Sequence, residues 1–444
     1  MQILPLYKNE LFCVVYVPEN STYAMHRHLH AEIQIDKRNG GIMYIDLFAG
    51  CGGLSLGLYK AGLHGLFAVE KNPFAFLTLK HNLIDRCHHF DWPKWLDVTN
   101  IDINDLLKGR QKELLSLRGK VSLVVGGPPC QGFSMAGQRK TDDVRNQLIN
   151  SYIEFVRIVQ PEMLFFENVH GFTVGFKNSK DFQSEGTPYS QKLITALKST
   201  GYSVAHRMIV MSDYGVPQKR TRFILFGIKN GNPNEFFRQL EINREQFLAS
   251  KGLRTPVSIK DAIGDLEKKH GQIPSPDTKG FNAGLYGSAE TPYQRLMRKD
   301  VAQDFYPDSH RFANQREDTV KVLTALMNCT KVSTRITPGQ NLVEGLKKRG
   351  VTPLKADTIC PTITSIPDDF VHYSEPRIMT VREHARIQSF PDDYEFRGKY
   401  TTGGKARRLE VPRYTQVANA IPPLFAEQVG IVLSEVEQWR HKKD

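Results

Sequence analysis

A cysteine placed directly behind two prolines is held by its backbone in one direction. The run VSLVVGGPPCQGFS (121–134) leaves an apolar stretch through Gly126-Gly127-Pro128-Pro129 and presents Cys130 at the carboxyl end of an expected buried strand, where open α/β sheets carry their chemistry. The glycines permit a sharp exit from the strand and the prolines fix φ. A buried cysteine on its own is an inert small hydrophobe; a nucleophile needs an activating setting and a partner group. A second apolar run, EMLFFENVHGF (162–172), delivers a carboxylate, Glu167, to the same edge. Seen alone, Glu167 reads equally well as a helix cap or an arginine partner. YGVPQKRTR (214–222) adds Arg220 and Arg222, two positions apart and so on one face of an extended segment.

The elements that must position these groups begin at Gly41. IMYIDLFAG, a Gly-rich entry to LSLGLYKAG, GLFAVEKN and PFAFLTLKHN alternate strand, turn and helix, which predicts α/β architecture with a doubly wound, mostly parallel sheet. In Asp46-Leu-Phe-Ala-Gly-Cys-Gly-Gly53 the glycines fall where a strand turns into a helix, so a ligand can approach the backbone closely. Glu70 ends the next strand about twenty residues after Gly50, the position of a ribose-binding acid. The spacing is not the dinucleotide G-x-G-x-x-G, and a smaller adenosyl ligand fits it better than a nicotinamide cofactor.

Together, DLFAGCGG, GPPCQGFS, ENV, QKRTR and the later block RIMTVREHARIQSFP (377–391) resemble the C5-cytosine methyltransferases that act on DNA with S-adenosyl-L-methionine, in ordered blocks from about residue 42 to 430. The resemblance implies that Cys130 is the nucleophile and Glu167 the partner acid, with Arg220 bracing Glu167 and Arg222 contacting the base. Around the cofactor it implies Asp46, Phe48 against adenine, the loop glycines Gly50, Gly52 and Gly53, Glu70 on the ribose hydroxyls, Asp97 at the adenine amine, Pro128, and Asn419. The glycine that ordinarily precedes that asparagine is Ala418 here, and LDVTN around Asp97 lacks the usual glycine. Gln131, Ser134 and Arg145, in a polar loop after Cys130, match DNA-contacting positions. The implied chemistry is addition of a thiolate to carbon 6 of cytosine while Glu167 engages ring nitrogen 3, which makes carbon 5 a nucleophile toward a methyl donor. The base must first leave the duplex stack.

The α/β rhythm starts at Gly41 and stops after Ile228, and the Pro-, Gly- and Ser-rich sequence that follows places a boundary near 255. With the roles the resemblance implies, the chain divides into an extension (1–40), a catalytic cofactor-binding part (41–255), a target-recognition part with hinge (256–410), and a carboxyl-terminal helix (411–444) returning to the catalytic part. In the hinge block, Arg382, Glu383 and Arg386 have the spacing of ion pairs along one helix. In the extension, LFCVVYV and YAMHRHLHAEIQI suggest a short hairpin whose alternating His26, His28 and His30 read as a solvated face.

Composition agrees with a polyanionic partner: 444 residues with 59 Lys and Arg against 47 Asp and Glu give a net charge of +12. Six scattered cysteines lack metal-ligand or disulfide-framework spacing, so no metal and no disulfide are expected. The amino terminus has neither a signal-peptide pattern nor an apolar run long enough to span a membrane. A cytoplasmic monomer acting on double-stranded DNA is therefore expected, paired in function, without a stable complex, with a restriction endonuclease. The competing readings are a transfer-RNA methylase of the same fold, whose Cys-Phe-Thr signature is absent, and a DNA-binding protein with a dead site. Methylation of an exocyclic amine is disfavoured because such sites place Asp or Asn, not cysteine, at Pro-Pro.

Overall fold

The computed structural model describes residues 41–129, 147–174, 187–302, 306–330, 333–340, 342–346, 350–402 and 410–439. Met1–Gly41 and Ile42–Asp444 are separate units, and the expected hairpin and histidine triplet of the extension lie outside the described residues.

Apolar, β-branched and aromatic runs form the central strands: β1 (Met43–Leu47), β2 (His64–Val69), β3 (Leu123–Gly126), β4 (Met163–Val169), β5 (Ser203–Val210), the two-residue β6 (Gln218–Lys219) and β7 (Thr221–Ile228). Six of them make one sheet in the order β2-β1-β3-β4-β7-β5. The first four are mutually parallel, and β7 runs antiparallel between β4 and β5. The expected doubly wound, mostly parallel sheet is thus present. Its strand order reverses between β1 and β3, and a crevice opens at such a switch point beyond the carboxyl ends of the strands.

Alternate strand residues face opposite layers, as the pleat requires. Tyr44, Ala68, Val125, Phe165 and Ile224 enter one core, with Leu54, Leu56 and Leu58 of α1 (Gly53–Lys60). Ile45, Phe67, Val124, Phe166 and Leu225 enter the other. The next helix, α2 (Pro73–Leu79), is started by Pro73 and capped by Asn72, whose side chain accepts from the backbone N–H groups of Phe74 and Ala75. The second layer is covered by α3 (Ile103–Gly109), α4 (Gln111–Ser116), α5 (Gln147–Val159) and α6 (Tyr189–Ser199).

Beyond β7 come α7 (Pro233–Ser250) and α8 (Ile259–Ile263), the short hairpin β8 (Gln272–Pro274) and β9 (Asn282–Gly284), then α9 (Pro292–Met297) and α10 (Glu317–Asn328). The strand pairs here are small: β10 (Thr352–Pro353) lies beside β12 (Phe370–Val371), and β11 (Cys360–Pro361) pairs in parallel with β6. That last pairing ties the 256–410 region to the segment carrying the two arginines. The hinge block forms α11 (Val381–Ile387), opened by a capping box between Thr380 and Glu383.

The ion pairs expected along α11 do not form with one another. Glu383 takes both oxygens to Arg377, Arg386 binds Asp265 and Asp392, and Arg382 reaches Asp308. All three α11 charges are fully buried, so each is satisfied by a partner outside the helix: Arg377 and Asp392 from its flanks, Asp265 and Asp308 from remote segments. Helix spacing alone could not predict this. The block therefore clamps segments together rather than decorating a surface.

The carboxyl-terminal stretch is not one helix: α12 (Arg413–Asn419) and α13 (Pro423–Ser434) are broken at Ala420-Ile421-Pro422, and a four-residue turn of helix, α14 (Val436–Trp439), follows. It is apolar enough to cross a membrane by length and composition, but most of it is buried inside the protein. It returns to the first core: Gly57 lets α13 sit so close to α1 that an added Cβ would lie 2.3 Å from Ala426 Cβ.

Candidate active site

Two loops meet at the switch point. The first follows β1. Phe48 has φ of 61°, Gly50 57° and Gly52 89°, and Gly52 serves as the left-handed N-cap of α1. A phenylalanine in that region is strained, and such strain persists only where the surroundings enforce it. Gly53 could not carry a side chain, because a Cβ would stand 2.4 Å from the Ile421 carbonyl oxygen. At Gly50, by contrast, no protein atom lies within 4 Å of the place a Cβ would take. The loop thus has its back against the α12–α13 junction and open space over Gly50.

Glu70, just past β2, joins this loop to α2. Its Oε2 accepts from the Gly50 N–H at 2.9 Å and its Oε1 from the Asn72 N–H at 2.6 Å. Burial pushes its carboxyl group above the usual range, offset by the backbone donors of Asn72, Gly50 and Lys71. Each carboxylate oxygen keeps a further lone pair, enough to accept from a diol. Asp46 is 1% exposed and accepts from Ser55 Oγ in α1 at 2.6 Å. Burial raises its pKa to about 7, the Ser55 hydrogen bond lowers it, and the charge of Glu70 raises it further. Asp97 is exposed, and its segment is brought to Glu70 by the Ile101 N–H, which donates to the Glu70 carbonyl at 2.8 Å. An adenosyl group fits this set: a strained loop with free space above it, and an acid at the adjoining strand end.

The second loop follows β3. Register pairs Gly126 with Phe166, so Gly127 lies beside Glu167. An added Cβ on Gly127 would be 3.1 Å from Glu167 Oε2. Pro128 is buried, and its carbonyl accepts from Asn168 Nδ2 at 3.3 Å. Cys130, Gln131, Ser134 and Arg145 lie outside the described residues. The described chain stops at Pro129, one residue short of the cysteine.

The expected brace of Glu167 by Arg220 is not what the structure shows: Arg222 takes that position, and Arg220 is bound elsewhere. Val169 pairs with Arg222 and Glu167 with Ile224, so Arg222 is the diagonal same-face neighbour of Glu167, a separation a long side chain spans. Its Nε meets Glu167 Oε1 at 2.9 Å, with both side chains 11% exposed. Arg220 precedes β7 and is 2% exposed. It donates to the carbonyls of Ala418 at 3.0 Å and Ala420 at 3.2 Å. The brace of Glu167 is therefore Arg222, and Arg220 holds the turn at the end of α12. The physical reason is that β7 begins only at Thr221, so the two residues do not share one extended face.

Asn419, the last residue of α12, is exposed between those two anchored alanines. Ala418 sits in regular helix without a positive φ, so the glycine ordinarily found there is not needed. Two glutamines complete the frame and were not singled out from sequence. Gln218 Nε2 donates to the Ile387 carbonyl at 3.1 Å and to Gln388, which in turn donates to the Ala420 carbonyl. Both stand in the QKRTR and RIQSFP blocks, so their signal was present without an assigned role.

Comparison with known proteins agrees with this geometry. A family model described as C-5 cytosine-specific DNA methylase matches residues 42–435. The type II methyltransferase M.XorII of Xanthomonas oryzae is 31% identical over 401 residues, covering 87% of this chain and 83% of that one. M.DdeI of Desulfomicrobium norvegicum is 31% identical over 398 residues, covering 87% of each. Among solved structures, an E. coli prophage-encoded protein described as a DNA modification methyltransferase superposes with a TM-score of 0.60 at 24% identity. It covers 90% of this chain and 100% of that one, which supports the fold. With sheet, loops and carboxylate pair in place and the family model matching nearly from end to end, the chain belongs to the C-5 cytosine-specific DNA methylases.

Proposed function

We propose that this enzyme methylates carbon 5 of a cytosine flipped out of a short double-stranded DNA sequence, through a transient bond between Cys130 and carbon 6. The observation that carries the reading is the Arg222–Glu167 pair at 2.9 Å, set against Gly127 where the chain enters Pro128-Pro129-Cys130.

S-adenosyl-L-methionine, held by the Phe48–Gly53 loop, Glu70, Asp97, Pro128 and Asn419, with Asp46 buttressing the loop through Ser55, supplies an electrophilic methyl group when bound. The chain's own residues do the rest. Cys130 adds as thiolate to carbon 6, and the electron pair of the 5,6 double bond becomes available at carbon 5. Glu167, carrying its proton, donates a hydrogen bond to ring nitrogen 3 and stabilises the charge that collects there, while Arg222 fixes the orientation of the carboxyl group. After transfer, loss of the carbon 5 proton to a base, with water in that role, restores the double bond and expels the Cys130 thiolate. Gln131, Ser134 and Arg145 contact the DNA around the flipped base, and residues 256–410 select the sequence. A cytoplasmic, monomeric enzyme guarding DNA against a cognate endonuclease fits the type II relatives. The test is transfer of labelled methyl to unmethylated DNA with mapping at base resolution. Label on an exocyclic amine, or on RNA alone, would overturn the reading.

A further inference from the structure

A cleft of about 300 Å³, none of whose lining residues belongs to the cofactor loop or the Glu167–Arg222 pair, is lined by Asp277, Thr278, Arg311, Gly398, Lys399, Tyr400, Thr401 and Arg413. Its centre is a layered stack. The Arg311 guanidinium lies 4.1 Å from the Phe281 ring centre and 3.8 Å from that of Tyr400. Arg413 also lies over Tyr400, at 4.2 Å.

The two arginines are not equivalent. Arg413 donates from Nε to the Gly398 carbonyl and from Nη1 to Asp277 and Ser309. Asp277 is taken in turn by Arg413 and by the Tyr400 hydroxyl. Lys399 pairs with Glu410. Arg311 differs: among the described residues its Nε is buried without a hydrogen bond. Two rings lie against its guanidinium, and the in-plane N–H groups at its tip match the oxygens of a phosphate. The wall opposite is rigid. The Arg397 N–H donates to Thr78 Oγ1 in α2, and Gly398 lies so close that a Cβ would touch Phe74 at 3.0 Å.

We propose that this cleft is a phosphate-binding site in which Arg311 grips a backbone phosphodiester of the DNA, outside the base-binding crevice. It rests on the reading of the chain as an enzyme acting on double-stranded DNA. A π-stacked guanidinium is pre-oriented, so little side-chain freedom is lost on contact. The contact is independent of sequence and positions the duplex rather than specifying it.

The test is DNA binding as a function of salt, using any duplex long enough to span the protein. One phosphate contact contributes about 0.9 to the slope of log K against log salt. Arg311→Gln is expected to lower the slope by about that amount and to weaken cognate and non-cognate DNA alike. Turnover at saturating DNA and the melting temperature should stay unchanged, and Arg311→Lys should keep the slope. Should Arg311→Gln fail to fold, Thr278→Glu sets a negative charge on the cleft's rim and is expected to lower the slope likewise. Ethylation of duplex phosphates should also reveal one interfering position with wild-type protein that disappears with Arg311→Gln. An unchanged slope in both variants overturns the proposal. So does inorganic phosphate binding that depends on Arg311 while the DNA slope does not, which would assign the cleft to a free anion. Failure of the wild-type enzyme to bind or methylate DNA would instead strike the underlying functional reading.

Discussion

Replacing Arg222 and Arg220 in turn by methionine separates the two duties that the geometry assigns to them. Arg222→Met removes the guanidinium held 2.9 Å from Glu167. Breaking a buried pair by removing one partner costs about 3–5 kcal/mol. Both side chains keep 11% of their surface exposed, so the low end, about 3 kcal/mol, applies. At about 1.4 kcal/mol per factor of ten, kcat should fall roughly a hundredfold with cofactor affinity little changed. Arg220→Met has a different signature. It deletes two hydrogen bonds from a charged donor to the Ala418 and Ala420 carbonyls, each contributing about 1.5 kcal/mol or more. The loss, about 3 kcal/mol, falls on folding stability and on the turn that carries Asn419. The melting temperature should drop and the KM for S-adenosyl-L-methionine should rise, with kcat within a few-fold of wild type. Steady-state methyl transfer and thermal unfolding read both variants. Lost turnover with unchanged stability and cofactor affinity in Arg220→Met, alongside near-normal turnover in Arg222→Met, would refute the assignment.

Further outcomes follow from single contacts. Gly127→Ala sets a methyl 3.1 Å from Glu167 Oε2; displacing the carboxylate should lower kcat about tenfold (~1.4 kcal/mol), with the melting curve nearly unmoved. Asp46→Asn should stabilise the protein at pH 8 but not at pH 4, measured by melting temperature. Burial lifts Asp46 from 3.8 to about 7, so between those values the native state binds the extra proton and wild-type stability falls as pH rises. His384 is fully buried, and both its ring nitrogens lack hydrogen-bond partners among the described residues. Burial holds its pKa down at about 4, so the unfolded chain takes up its proton first and stability is lost as pH falls from about 6.5 toward 4. His384→Leu should flatten that part of the stability profile.

Much of the frame could be read from local sequence because local rules govern it. Apolar runs ended by glycine or a carboxylate gave β1, β2, β3 and β4, and the Gly-rich turn after Asp46 marked the cofactor loop. The divergences share one cause, which is partnership outside the element that carries the residue. Arg220 and Arg222 have identical local chemistry; only the start of β7 at Thr221 and the return of α12 decide which one meets Glu167. Arg382, Glu383 and Arg386 show helix spacing, yet their partners are Asp308, Arg377, Asp265 and Asp392. The placement of β7 between β4 and β5 follows from pairing, not from either strand's composition. Nothing near Arg311 in the sequence announces Phe281 or Tyr400, which stack on it from 30 residues before and 89 after.

The central claim is that Cys130 and the Glu167–Arg222 pair act together on carbon 5 of cytosine. The most direct measurement is trapping of the protein on duplex DNA in which the target cytosine is replaced by 5-fluorocytosine, with S-adenosyl-L-methionine present. Fluorine at carbon 5 cannot leave as a proton does, so the bond from Cys130 to carbon 6 should persist as a denaturation-resistant complex. The account predicts that complex with wild-type protein, its absence with Cys130→Ala, and slower formation with Arg222→Met. Efficient methylation of ordinary DNA by Cys130→Ala, or a trapped adduct mapped to another residue, would contradict it.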